Sequence, residues 1–290
     1  MPGKISRGWG ILKQSWLALG RDKKLLLLPV LSGMACLLIL ASFVLPLALA
    51  PDTWEFLQDE KLQAREVWKQ PVTYVLTFGF YLSTYFVVVF FNTALVWCAV
   101  NRFNGGSPTI AAGLRVALSR FPQILGWALV AASVGTLLKA VEDRLSWLGQ
   151  WVVRLIGVAW SIVTYFVVPV LAVEGLGPLA AVRRSASLLR KSWGESLVGE
   201  VSMGAISMVL ALPAICVALA GLVAGIVAAS LWWVAIAMAP AVLYLVALAV
   251  VTSALQQVFM AGVYLYAAEG RVPSGFSEDS LRSAFRAKTA

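Results

Sequence analysis

The 290 residues carry 23 Lys and Arg against 14 Asp and Glu, no His, and a formal net charge of +9, yet 60% of them are hydrophobic and only 13% charged. A mean hydropathy of +0.85 excludes an ordinary soluble domain and describes a chain embedded in a membrane. The cations lie in short segments beside the apolar tracts, so the basicity points to anionic lipid headgroups and away from nucleic acid.

Chain order begins with an expected surface helix. Ile5, Trp9, Leu12, Trp16 and Leu19 form one helical face, with Arg7, Lys13 and Gln14 off it. The apolar stretch that follows, residues 25–50, exceeds the short core of a secretory signal, and Pro51 would stand just after any cut. It is therefore expected to remain as the first membrane span. A helix needs roughly 20 apolar residues to cross about 30 Å of hydrocarbon. By that measure further spans are expected at residues 72–100, 121–138, 151–173, 197–223 and 234–267. Runs this apolar satisfy their backbone as helices rather than as barrel strands. The predicted fold class is thus all-α, a polytopic transmembrane bundle of six spans.

Between Glu200 and Glu269 no side chain is charged. This run has room for two long spans or three short ones. Two are preferred, with Gly221, Gly225 and Leu231-Trp232-Trp233 as an interfacial or re-entrant turn, because three would export the basic tail. Lys4, Arg7, Lys13, Arg21, Lys23 and Lys24 precede the first span. Arg102, Arg115 and Arg120 follow the second, Arg183, Arg184, Arg190 and Lys191 follow the fourth, and Arg271, Arg282, Arg286 and Lys288 lie in the tail. The opposite connections are acidic or sparse in charge. The positive-inside rule then predicts that both termini are cytoplasmic.

The surface-helix pattern recurs. Ile110, Leu114, Ala117 and Phe121 form a second stripe beside Arg115 and Arg120. Leu179, Val182, Ala186, Leu189 and Trp193 form a third, with Arg183, Arg184, Arg190 and Lys191 off it. The last two copies share Ala-Ala-x-x-Arg, at Ala111, Ala112 and Arg115 and at Ala180, Ala181 and Arg184. Three units of surface helix plus hairpin follow, at about residues 4–100, 108–173 and 178–269, arranged about a pseudo-threefold axis within a single membrane domain. Residues 270–290 are read as a flexible cytoplasmic tail.

The stretch from Pro169 to Gly194 contains Pro169, Glu174-Gly175, Gly177-Pro178, Arg183-Arg184-Ser185 and Lys191-Ser192-Trp193-Gly194. It resembles a bacterial family of uncharacterised six-span membrane proteins. That family is similar in pattern to the membrane domain attached to some glycerophosphodiester phosphodiesterases. The resemblance implies architecture rather than activity, and these 290 residues contain no soluble phosphodiesterase domain.

Chemistry is sparse. Cys36, Cys98 and Cys216 all lie in apolar tracts, and with His absent neither a disulfide framework, a zinc site nor another cofactor is expected. No nucleophile–base pair, phosphate loop or acidic cluster appears, so no catalytic residue is named and an enzyme is not expected. The ionisable and polar groups near the membrane remain. Glu174 and Glu200 are candidates to hold a cation or to pair with Arg183, Arg184 or Lys191, the structural ion pair being favoured. Asn92 and Gln257 are candidates for interhelical hydrogen bonds or for lining a path. Lys13, Arg115, Arg120, Arg183, Arg184, Arg190 and Lys191 are the candidate headgroup-binding set. A scaffold or accessory subunit that binds lipid is the leading reading, with other membrane proteins as further partners, and a transporter or channel for a small solute or lipid is the alternative.

Overall fold

Apolar runs that cannot expose their backbone to lipid close it into helices, and the computed structural model is built accordingly. It describes residues 20, 22–49, 71–228 and 230–271, apart from the side chains of 23, 47, 71–74, 191–203 and 231. After a 3-10 turn, Lys23–Leu26, come α1 (Leu27–Leu49), α2 (Pro71–Phe103), α3 (Ile110–Ser119), α4 (Phe121–Glu142), α5 (Trp147–Val163), α6 (Val167–Val173), α7 (Pro178–Val227) and α8 (Leu231–Glu269). No strand occurs among the described residues. Six segments are long and apolar enough to cross a membrane: Lys24–Pro46, Val75–Phe103, Phe121–Glu142, Trp147–Val173, Gly204–Val227 and Trp232–Glu269. Leu38, Leu155, Met208 and Leu243 on these spans are largely exposed, as side chains facing acyl chains should be. In water such continuous apolar surface would drive aggregation.

The described residues divide into two units, one drawn from Val30–Ala94 and Ala111–Ala186, the other from Met1–Pro29, Leu95–Ile110 and Ser187–Ala290. In the first, α1 meets α2 through Phe43 and Phe80, whose ring centroids are 5.5 Å apart. Phe86 of α2 packs edge-on against Phe121 at the start of α4. α5 returns along α4, fixed near the turn by Arg154 Nε donating to Glu142 Oε1 at 3.0 Å and deeper by Trp127 stacked on Trp160.

In the second unit, α7 and α8 form a hairpin. A Cβ at Gly221 would collide with that of Ala237, and one at Gly225 with Val234. These glycines let the two helices approach closely, as small residues do in membrane bundles. They are not the turn expected there: α7 runs on to Val227 and α8 starts at Leu231, with Ser230 N–H bonding to the Gly225 carbonyl at 3.0 Å. At the other end, Asp22 lies 3.1 Å from Arg102 Nε, and Arg271 pairs with Glu269 while donating to Asn104 Oδ1 at 3.2 Å. The turn before α1, the end of α2 and the end of α8 therefore meet.

The three expected surface helices fare differently. The first, with Lys13, lies outside the described residues. The second is α3, a discrete helix of 10 residues. The third is not separate: α7 runs for 50 residues through both the stripe and the fifth span. Gly194 and Gly199 flank the junction, and each costs a helix only about 1 kcal/mol against Ala.

Candidate functional site

The chain leaves α6 through an elbow whose parts come from three helices. Pro169 lies in the first turn of α6, the short helix that ends span four, and both Glu174 and Gly175 donate their N–H to the Val170 carbonyl, at 2.9 and 3.0 Å. Gly175 has φ +65, a conformation that L side chains rarely adopt. Pro178 then opens α7, where its missing N–H costs nothing.

Two side chains of α7 reach back across this turn. Arg184 Nε donates to both carboxylate oxygens of Glu174, at 2.9 and 3.1 Å. Ser185, fully buried, donates to the Val163 carbonyl at 2.7 Å and accepts the Phe166 N–H at 3.0 Å. Those two backbone groups flank the break between α5 and α6. In an apolar surrounding each would cost several kcal/mol if left bare, so the serine closes the break in the fourth span.

The third contribution is from α4. Arg120, the residue before its first turn, lays its guanidinium where a side chain at position 175 would stand. Two turns along, Gly126 lies so near Pro178 that a Cβ would approach its Cγ to 2.8 Å. Residue 123 is three positions from both Arg120 and Gly126, so Gln123 lies between two points that touch the elbow. The Nε of Arg120 and the Oε1 of Gln123 are both buried and have no hydrogen-bond partner among the described residues.

Of the sequence candidates, the structure thus brings together Arg120, Glu174 and Arg184. Arg115 on α3 and Arg183 on α7 are exposed and have no ionic or hydrogen-bond partner among the described residues; Arg190 is exposed as well. The side chains of Lys191 and Glu200 lie outside the described residues. Asn92 is half-buried on α2, next to the fully buried Thr93. Gln257 is half-buried on α8, and its Oε1 has no hydrogen-bond partner among the described residues. A groove of about 540 Å³ is lined by Ser42, Phe43, Pro46, Leu76, Thr77, Phe80 and Tyr81, none of them a candidate. Among the described residues Cys36, Cys98 and Cys216 form no disulfide, and no three His, Cys, Asp or Glu side chains gather. Ser185 and Gln123 were not among the sequence candidates. The signal for Ser185 was its place within the Arg183-Arg184-Ser185 motif.

Residues 71–276 match a family of unknown function, DUF6159. The chain belongs to that family. The match takes in the whole elbow and every described span except the first. Neither a curated protein nor a solved structure matches the chain, and nothing in the family match links this member of DUF6159 to glycerophosphodiester phosphodiesterases.

Proposed function

We propose that the protein is a non-enzymatic, multi-pass scaffold or accessory subunit of a bacterial inner membrane, with both termini cytoplasmic, that engages anionic lipid through the cations around the elbow. One observation carries the reading. The acidic side chain of the elbow, Glu174, is already matched by Arg184, while Arg115 and Arg183 stay exposed with no carboxylate beside them among the described residues. Near an anionic surface each such cation is worth about 1 kcal/mol.

The triple variant Arg115→Glu, Arg183→Glu and Arg190→Glu leaves the Glu174–Arg184 pair intact and tests the reading. Reconstituted at low salt in vesicles of phosphatidylcholine doped with an anionic lipid, it should lose at least about tenfold of the preference for the anionic component. An unchanged preference overturns the reading. Transport is favoured by the unpartnered Oε1 of Gln257 inside a span. A solute flux in proteoliposomes that Gln257→Leu abolishes would establish it.

A further inference from the structure

The general attraction between cations and anionic lipid leaves two atoms without a role. Arg120 Nε and Gln123 Oε1 are buried without partners among the described residues, one a donor and the other an acceptor, at the start of α4, where Arg120 and Gly126 meet the elbow. Buried polar atoms of this kind call for an explanation, because leaving one bare costs as much as a lost hydrogen bond. They do not serve each other in the present geometry. Each side chain is only half-buried as a whole, so each has a surface from which a ligand can draw it round.

The pair also has a chemical reading. A guanidinium suits a phosphate oxygen. An amide oxygen three residues on takes a hydroxyl or ammonium hydrogen, and nothing else in a phospholipid headgroup would satisfy it. Gly175 is what makes room, since any side chain there would occupy the place of the guanidinium. Arg184 is held by Glu174 and Arg183 is exposed, so Arg120 is the elbow arginine with a buried Nε that has no partner among the described residues.

We propose that the notch between the first turn of α4 and the elbow is a subsite for a phosphodiester headgroup bearing a hydroxyl, with Arg120 on the phosphate and Gln123 on the hydroxyl. This rests on the lipid-binding reading above and adds to it a selectivity that charge alone cannot give. Phosphatidylglycerol and phosphatidylethanol carry the same charge, but only the first has headgroup hydroxyls.

The full chain, reconstituted in vesicles containing both lipids in phosphatidylcholine, is extracted and its retained lipids are counted by native mass spectrometry. The expected result is about two- to tenfold more phosphatidylglycerol than phosphatidylethanol, the range one added hydrogen bond supplies. Gln123→Leu should bring that ratio to about one, and Arg120→Gln should reduce retention of both lipids. Glycerophosphoglycerol in solution should displace the lipid only weakly. Displacement at matching concentration would make a free phosphodiester, not a lipid, the ligand, and would overturn the membrane source. Equal retention of the two anionic lipids by the unaltered protein overturns the subsite, yet leaves the charge-based reading standing if both exceed phosphatidylcholine. If neither exceeds it, both readings fall.

Discussion

At the elbow after α6 the chain reverses on polar contacts, whereas the reversal between α7 and α8 is closed by small residues packed flat against each other. The elbow uses an ion pair, a serine bonded to two backbone groups and a guanidinium over a glycine. The hairpin uses Gly221 on Ala237 and Gly225 on Val234, with hydrogen bonds such as that from Tyr244 to the Leu210 carbonyl at 2.9 Å. Packing of small residues is sufficient to hold two spans together, since in lipid close approach replaces the hydrophobic effect as the attraction. A region built instead from directional groups, several of them charged, holds one geometry and carries unspent hydrogen-bonding capacity. That contrast is why the elbow is the candidate site.

The largest expected effect comes from Ser185→Ala, which strips partners from both the Val163 carbonyl and the Phe166 N–H. At about 1–3 kcal/mol for each bared group, unfolding in mixed micelles should be easier by roughly 2–6 kcal/mol. Hydrogen exchange at the Phe166 amide should quicken, while Ser185→Thr retains protection. Protection that survives in the alanine variant would remove the polar clamp from the comparison. Next comes Gly221→Val in the hairpin, where the Cβ of Ala237 cannot rotate aside. Overpacking of this kind costs about 1–3 kcal/mol, and the loss should be independent of salt. The smallest effect belongs to Glu174→Gln. Arg184 and Glu174 side chains retain 36% and 24% of their exposure, so about 0.5–1.5 kcal/mol is expected, shrinking as salt rises. A salt response in the hairpin variant, or none in the elbow variant, would erase the distinction between the two turns.

The spans were legible because their signal is summed over some twenty side chains, and no local detail can outweigh it. Six were expected and six segments of suitable length and hydropathy are present. The breaks were less legible. Gly221 and Gly225 read as a turn because glycine loosens a helix, but in the structure they serve close packing against a partner 9 or 16 residues further along, which no local pattern announces. Conversely, span four breaks at Thr164–Phe166, a stretch without glycine or proline, and what heals it is a serine 19 residues downstream. The amphipathic rhythm of residues 179–193 correctly marked a helix, but rhythm has no information on where a helix stops. In the site, the Glu174–Arg184 pair was legible since both residues border one turn. Arg120 was read as a cation for lipid, while its place over Gly175 depends on two segments 55 positions apart in the sequence.

The serine clamp also sets an order of events during synthesis. Spans enter the bilayer as the chain emerges, and the break in the fourth span is made before the residue that repairs it exists. Phe166 and Ser185 are 19 positions apart, so at about 5–20 residues per second the two bare backbone groups wait roughly one to four seconds for their partner. Until then the segment is better housed against water or the insertion machinery than against acyl chains. The fourth span is thus a late settler, completed only by the helix that follows it.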